Sequence, residues 1–295
     1  MKTTRRDFIR YCGVSAATLG LTATELGQLA RAIANPAGPK VLWLQGASCT
    51  GCSVSLLNRI SSQSPADAAD LLIESIDLTY HPTLMAAAGD AAVDRIGAAA
   101  SAPYVLVVEG GVPTAFGGAA CGAWTYAGHH VTFVDAVRQL APKAQAVLAV
   151  GNCAAWGGIP AAGANPTGVT GVRTLTGTGA ISVPGCPPHP DWIVWPIAQL
   201  LLGRTIALDS LGRPRTLFRN SVHDICPRKG TPEAREFGEA GCLKGLGCRG
   251  PETKAPCPSQ WWNGGVNWCI GAGSPCQGCT SEKYPGSAAF VRFRY

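Results

Sequence analysis

Residues 104–111 read YVLVVEGG, five consecutive apolar residues that end in a carboxylate and two glycines. An uninterrupted apolar run of this length is typical of a strand buried on both faces of a parallel sheet. Two more such runs lie at residues 41–45 (VLWLQ) and 146–150 (AVLAV). The three runs predict strands of one parallel sheet, each followed by a turn that contains glycine.

Helical segments alternate with these runs. The other predicted elements are helices at residues 53–61, 85–99, 131–140 and 191–202, a strand at residues 71–78, and a strand that leads into a loop at residues 181–185. Asp191 is the predicted N-cap of the last helix. Such alternation predicts an α/β fold with a doubly wound parallel sheet, in which ligands bind beyond the carboxyl ends of the strands.

Regular periodicity fades near residue 205. The region from 206 to 295 is rich in glycine, proline and cysteine, as expected where metal ligation replaces core burial. We therefore predict an α/β domain at residues 35–205 and a loop-rich C-terminal domain at residues 206–295.

Residues 1–34 have the features of an export signal. Residues 5–10 read RRDFIR and resemble a twin-arginine motif, an apolar stretch follows at 13–21, and Ala32-Ile33-Ala34 offers a small-x-small cleavage site. The apolar stretch is too short to cross a bilayer, which takes about 20 residues. We expect a mature chain without a transmembrane helix, in the periplasm or on the outer face of the cytoplasmic membrane.

The composition argues against nucleic-acid binding. The formal net charge is only +6, and five of the 24 basic residues lie in the predicted signal. Charged residues make up only 14% of the chain. So few charges suggest that a partner covers much of the surface.

Four cysteines follow predicted strands and form the first cysteine group: Cys49, Cys52, Cys153 and Cys186. A Cys-x2-Cys pair alone could be a redox dithiol at a helix start. Two further cysteines at the same edge of the sheet turn this pair into a candidate four-thiolate site, which suits a 4Fe–4S cluster.

The C-terminal region contains two more sets. The second group is His223, Cys226, Cys242 and Cys248, and the third group is Cys257, Cys276 and Cys279, with Cys269 as a candidate fourth ligand. Soft thiolates favour iron–sulfur clusters, zinc or copper(I). Disulfides are the structural alternative in an exported chain. The twin-arginine route, however, exports proteins already folded in the reducing cytoplasm, where a cofactor can be inserted.

The remaining cysteines and histidines are expected to have ordinary roles. Cys12 lies in the predicted signal, and Cys121 is predicted to be a buried small residue. No function is predicted for His81, His129, His130 or His189, although His189 lies near Cys186.

Several strings together resemble the small, electron-transferring subunit of nickel–iron hydrogenases, over nearly the whole chain. They are CTGCS at 49–53, GNCA at 151–154, PGCPP at 184–188, HDICPR at 223–228, GCRGP at 247–251 and the stretch 268–279. The resemblance implies a flavodoxin-like N-terminal domain and a C-terminal domain with little regular structure. It also implies that a separate large subunit holds the nickel–iron site, where hydrogen is oxidised or formed.

The resemblance implies a role for each group. The first group would hold a proximal 4Fe–4S cluster, the third group a medial cluster and the second group a distal 4Fe–4S cluster near the surface. The chain would then relay electrons between the large subunit and an external acceptor such as a cytochrome or a membrane cytochrome subunit. It would carry no catalytic residue of its own.

Three features of this chain, at four positions, bear on the resemblance. Oxygen-resistant members have two extra cysteines near the proximal cluster, where this chain has Gly51 and Gly158. The medial cluster is usually 3Fe–4S, with proline at the position of Cys269, so a medial 4Fe–4S cluster is predicted here. Ser48 stands where an acidic residue often precedes the first proximal cysteine.

Two rival hypotheses have different consequences. One is another iron–sulfur carrier or respiratory-complex subunit that shares the first group, and His223 with the full C-terminal series argues against it. The other is an exported binding protein stapled by zinc or disulfides. Such a protein would be colourless, whereas iron–sulfur clusters are brown.

Overall fold

A computed structural model of the chain describes residues 40–59, 67, 77–177 and 179–286. The predicted export signal and residues 71–76 of a predicted strand lie outside this part of the chain. In chain order the strands are β1 (Lys40–Gln45), β2 (Leu78–Tyr80), β3 (Tyr104–Glu109), β4 (Val112–Pro113), β5 (Gly122–Tyr126), β6 (His129–Thr132), β7 (Ala146–Val150), β8 (Val169–Thr170) and β9 (Ile181–Val183). The α-helices are α1 (Gly51–Leu57), α2 (Asp90–Ala99), α3 (Phe133–Leu140), α4 (Asn152–Trp156), α5 (Val172–Thr176), α6 (Pro190–Leu201) and α7 (Cys257–Gln260).

The described strands include a five-stranded sheet in the order β2-β1-β3-β7-β9, with every neighbouring pair parallel. This is the order of a flavodoxin-like doubly wound sheet. The predicted fold class is therefore confirmed. Strand β3 lies at the centre of the sheet, where its apolar residues are buried on both faces.

The two faces of the sheet bury different cores. Val105 and Val107 face a core that includes Trp192 of α6, whereas Leu106 and Val108 face a core that includes Phe133 of α3. Side chains alternate between the faces because successive residues of a strand point in opposite directions. An apolar run without polar interruptions therefore fits a sheet covered on both sides.

The C-terminal region contains little regular structure but contributes to the first of these cores. Its described elements are α7 and short 3₁₀ turns at Leu243–Leu246 and Gly250–Glu252. Phe218, Leu243 and Trp268 are buried in the same core as the sheet residues. Core burial thus continues past residue 205, alongside the expected cysteine groups.

Several predicted helix ends differ from the observed ones. Helix α2 begins at Asp90 rather than at residue 85, because Gly89 precedes it with a φ of 58°, outside the helical region. Helix α3 begins after Thr132, whose hydroxyl accepts a hydrogen bond from the Asp135 amide. The predicted N-cap Asp191 is wrong: the His189 side chain accepts from the Asp191 amide, and Asp191 lies in the first turn.

The sequence patterns also missed a hairpin formed by β5 and β6, joined at Ala127 and Gly128. No helix among the described residues is long and apolar enough to span a membrane.

Candidate functional site: three cysteine groups

The first group lies at the carboxyl edge of the sheet. Cys49 and Cys52 follow β1, Cys153 follows β7 in α4, and Cys186 follows β9. These strands are parallel, so their carboxyl ends share one edge and bring the four thiols together. The sequence prediction of a common edge is confirmed in its geometry.

The four thiols interact electrostatically. Burial raises the pKa of Cys153 to about 11, and the neighbouring Cys186 and Cys49 contribute to this rise. Burial also raises the pKa of Cys52, and Glu109 and the other three thiols of the group add to this effect. Four thiolates this close would repel one another strongly without a compensating positive charge.

Glycines leave room beside these sulfur atoms. A Cβ at Gly151 would lie 2.5 Å from the Sγ of Cys52, and one at Gly158 would lie 3.0 Å from the Sγ of Cys153. Both glycines have a positive φ, of 89° and 50°, which is strained for other residues. A side chain at either position would collide with the group, so the backbone forms a close-fitting wall.

Glu109 lies beneath the Cys49–Cys52 loop and is fully buried. Its Oε1 accepts hydrogen bonds from the backbone amides of Cys52, at 3.0 Å, and Ser53, at 3.3 Å. Its Oε2 accepts from the Trp43 indole, at 2.9 Å, from the Gln45 amide, at 3.1 Å, and from the Ser53 hydroxyl. This carboxylate therefore ties β1, β3 and α1 together at the group.

The hydrogen-bonded chain continues from Ser53 to His81. The His81 Nδ1 accepts from the Thr83 backbone amide at 3.2 Å, so its proton lies on Nε2, 3.0 Å from the Ser53 oxygen. Burial lowers the pKa of His81 to about 4, although Glu109 acts to raise it. His81 is therefore a neutral, buried histidine that supports Ser53.

Three thiols of the third group have strongly raised pKa values. Burial raises the pKa of Cys257 to about 12, with Cys276 and Cys269 adding to the effect. Burial likewise raises the pKa of Cys279, and the thiols of Cys257, Cys276 and Cys269 raise it further. Cys269 is exposed as a residue, yet its thiol lies within electrostatic range of all three partners.

Direct contacts join the first group to the third. Asn152, which precedes Cys153, donates from Nδ2 to the backbone oxygens of Cys279 and Ser281, both at 2.9 Å. The backbone N–H of Cys186 forms a hydrogen bond with the Cys279 thiol, which acts to lower its pKa. The Tyr284 hydroxyl also forms a hydrogen bond with the Cys186 thiol.

Other contacts join the third group to the second. The Cys276 backbone amide donates to the Sγ of Cys248 at 3.3 Å, and the Arg249 amide donates to the Cys276 oxygen at 2.8 Å. The Arg249 guanidinium donates to the Pro285 oxygen at 3.0 Å. These bonds hold the segment at Cys248 beside the one at Cys276.

The second group lies along the segment that begins at His223. The thiols of Cys242 and Cys226 act to raise the pKa of Cys248, although its burial has the larger effect. His223 donates its backbone N–H to the Gly250 oxygen at 3.1 Å. A Cβ at Gly250 would lie 3.4 Å from the Sγ of Cys248 and 3.7 Å from the Cβ of His223, so the two side chains flank this glycine.

All the predicted cysteine ligands are free thiols, as are all twelve cysteines of the described residues. In that part of the chain, no three His, Cys, Asp or Glu side chains converge closely enough to hold a single metal ion. Cys121 is half-buried rather than buried and lies outside the three groups.

Sequence reasoning missed the residues that support the groups. Asn152 and Tyr284 gave no signal, because each acts on a cysteine that is distant in sequence. Glu109 could have been found, since a carboxylate that ends a wholly apolar central strand is unusual. His81 has an ordinary structural role, as expected, but its partner Ser53, 28 residues away, is not apparent from the sequence.

Two family models match the chain. Residues 49–200 match the family described as NADH ubiquinone oxidoreductase, 20 Kd subunit. Residues 218–291 match the family that describes the C-terminal part of NiFe/NiFeSe hydrogenase small subunits. The first match covers the α/β part, and the second covers the region with His223 and the third group.

Curated relatives and solved structures agree with the second family. The periplasmic [NiFeSe] hydrogenase small subunit of Desulfomicrobium baculatum is 38% identical and covers 97% of this chain and 97% of that protein. The periplasmic [NiFe] hydrogenase small subunit of Solidesulfovibrio fructosivorans is 37% identical over 95% of this chain and 90% of that protein. A chain of the oxidised [NiFeSe] hydrogenase of Desulfovibrio vulgaris Hildenborough superposes with a TM-score of 0.76 at 41% identity, over 84% of this chain and 94% of that one. The chain therefore belongs to the family of small subunits of NiFe and NiFeSe hydrogenases.

Proposed function

We propose that the three groups hold three iron–sulfur clusters that relay electrons in a line. The proposed ligands are Cys49, Cys52, Cys153 and Cys186 for a proximal 4Fe–4S cluster, Cys257, Cys269, Cys276 and Cys279 for a medial cluster, and His223, Cys226, Cys242 and Cys248 for a distal 4Fe–4S cluster. Bound clusters would supply one-electron redox chemistry, and the nickel–iron site would belong to the large subunit. Hydrogen oxidation is reversible in this scheme.

The contacts between the groups support this order. The third group contacts the first through Asn152 and Cys186, and it contacts the second through Cys276 and Cys248. A group that touches both of the others suits a middle position. This is the observation that carries the proposal.

The chemistry of the first group suits a cluster. Burial and the neighbouring thiols raise the pKa values of Cys52 and Cys153, so the group needs positive charge before its thiols can ionise together. Cluster iron supplies that charge to cysteine thiolates. Gly51 and Gly158 provide no extra sulfur, so we propose an ordinary proximal cluster without added cysteine ligands.

The proposed fourth medial ligand is Cys269. Its thiol acts on Cys257, Cys276 and Cys279, as expected for a member of the same group. With four thiolates the medial cluster would be 4Fe–4S, and with three it would be 3Fe–4S. The histidine of the second group would ease reduction of the distal cluster, because a neutral imidazole carries less negative charge than a thiolate.

The remaining proposals concern the setting of the relay. Two of the relatives are named as periplasmic subunits, which supports export of this chain by the twin-arginine route. We propose domains at residues 35–205 and 206–295, and an acceptor of the cytochrome type, soluble or membrane-bound, at the second group.

Co-purification from the native cell with metal analysis tests the function. We expect a brown heterodimer with about 12 irons per small subunit, or about 11 if Cys269 does not bind, in addition to one nickel and one iron from the large subunit. The visible absorption should bleach on reduction with hydrogen. A colourless, zinc-containing chain without a large subunit would contradict the proposal.

A further inference from the structure

A cleft of about 770 Å³ opens on the C-terminal region. Its lining includes three cations, Arg215, Arg219 and Lys254, together with Asp209 and Phe218. All three cations are exposed, and none of them forms an ion pair within the described residues. The cleft therefore presents uncompensated positive charge.

Nearby carboxylates do not neutralise this charge, because each has its own cation. Asp209 accepts from the Arg213 guanidinium at 2.8 Å. Asp224 pairs with Lys229 at 3.0 Å, and Glu252 pairs with Arg249. No other carboxylate lies in residues 209–224 or 249–254.

The cleft adjoins the segment of the second group. Ser221 and Lys254 form an antiparallel bridge, and the Val222 amide donates to the Thr253 oxygen at 2.7 Å. The cleft walls at Arg219 and Lys254 are therefore joined just before His223.

The floor of the cleft also packs toward the third group. The rings of Phe218 and Trp192 are 5.6 Å apart, and those of Trp192 and Trp262 are 6.1 Å apart. The Trp262 side chain forms a hydrogen bond with the Cys257 thiol. Aromatic packing thus runs from the cleft to a proposed medial ligand.

We propose that this cleft docks a small redox protein whose contact face is rich in aspartate and glutamate. The inference rests on the proposed relay, because the cleft matters for electron transfer only if the second group is its outer end. Arginine forks match carboxylates in a paired geometry, and exposed charges of one sign steer an oppositely charged partner. The cleft is open and its cations are exposed, which suits a protein surface better than an enclosed small anion.

The electron count is simple. Each hydrogen molecule oxidised at the large subunit yields two protons and two electrons. Two one-electron haem proteins are therefore reduced, each from the ferric to the ferrous state, for every hydrogen molecule consumed.

The test uses the intact heterodimer with two small cytochromes, one acidic and one basic, as acceptors of hydrogen-derived electrons. The triple variant Arg215→Gln, Arg219→Gln and Lys254→Gln is compared with a control that loses the same charge elsewhere, Arg95→Gln, Arg138→Gln and Lys143→Gln. Each rate of cytochrome reduction is divided by the rate of isotope exchange between deuterium gas and protons in the same sample. This exchange needs no electron acceptor and therefore reports the amount of active large subunit. Single variants provide a graded series should the triple variant fold poorly.

For the acidic cytochrome, we expect kcat/KM of the triple variant to fall at least tenfold at low ionic strength, with kcat little changed. The difference should shrink as added salt screens the charges. The basic cytochrome should show no such loss, and the control variant should behave like the unmodified heterodimer.

Three results would overturn the docking inference. They are an unchanged kcat/KM for the acidic cytochrome, an equal loss in the control variant, or a loss only of binding to vesicles of anionic phospholipid, which would assign the cleft to a membrane surface. Failure of the proposed relay would look different. The unmodified heterodimer would then catalyse isotope exchange but reduce neither cytochrome.

Discussion

The side-chain amide of Asn152 donates hydrogen bonds to the backbone oxygens of Cys279 and Ser281, both at 2.9 Å. Asn152 precedes Cys153 of the first group, whereas Cys279 belongs to the third group, 127 residues away. One buried side chain therefore sets the position of two cysteine groups relative to each other.

Asn152→Asp should slow electron transfer between these groups while sparing the chemistry of the large subunit. The substitution keeps the shape but removes both donors, which leaves two carbonyl oxygens without partners at a cost of roughly 1–3 kcal/mol each. We expect hydrogen-driven dye reduction to fall severalfold and deuterium–proton exchange to be maintained.

Asn165→Asp is the matched control, since the Asn165 side chain also donates to a backbone oxygen, that of Val169, but contacts no cysteine group. Equal losses of dye reduction and exchange in Asn152→Asp would show that Asn152 has only a general structural role.

Glu109→Gln should destabilise the first group. The Trp43 indole and the Gln45 amide now donate to Oε2 of Glu109. A glutamine side chain would place its own N–H groups opposite such donors, so at least one buried hydrogen bond would be lost. We expect the free energy of unfolding to fall by roughly 2–4 kcal/mol and iron to be lost from the first group. Thermal unfolding and iron analysis measure the two effects.

The exposed residue Glu282 provides the control for that experiment. Glu282→Gln should change stability by less than about 0.5 kcal/mol. A Glu109→Gln protein with unaltered stability and iron content would refute the role assigned to the carboxylate.

Cys269→Ala should convert the medial cluster. The unmodified protein should show no stoichiometric 3Fe signal in the spin-resonance spectrum of its oxidised state. The variant should show that signal and hold about one iron fewer per chain, because one of four thiolates is missing. Cys121→Ala, in a cysteine outside the groups, should alter neither measurement. A stoichiometric 3Fe signal in the unmodified protein would show that Cys269 is not a ligand.

His81 should make stability depend on pH in the acid range. Burial lowers its pKa from 6.5 to about 4, so the unfolded chain binds the proton more readily than the folded one. The contribution of the neutral ring is complete above pH 6.5, declines as the pH falls, and is lost by about pH 4, a change of roughly 3 kcal/mol.

Thermal unfolding measured anaerobically between pH 4 and 8 tests this dependence, because that pH range includes the pKa of His81 in both the folded and the unfolded chain. The stability of His81→Gln should fall less between pH 8 and pH 4 than that of the unmodified protein, because glutamine does not titrate in this range. His129→Gln, at an exposed position of the hairpin, should keep the dependence of the unmodified protein. The same acid sensitivity in His81→Gln would assign it to another group.

The local sequence pattern was sufficient to predict the central strands of the sheet, but it did not predict every strand or every helix boundary. The apolar runs at β1, β3 and β7 predict buried strands because burial on both faces excludes polar residues. The exposed hairpin of β5 and β6 has no comparable apolar pattern, so it was not predicted. The start of α2 depends on the backbone of Gly89, which composition alone does not reveal.

The sequence by itself determined the fold class and, from the spacing of its thiols, predicted three cysteine groups. It could do so because parallel strands bring their carboxyl ends to one edge, and because thiols at short spacing are a chemical signature. Only the tertiary structure showed the contacts that join neighbouring groups, and which uncharged or acidic residues support them. Asn152, Glu109 and His81 act through partners that are 28 to 127 residues away in the chain. Such contacts exist only once the sheet and the C-terminal region pack into one core, so no local pattern can encode them.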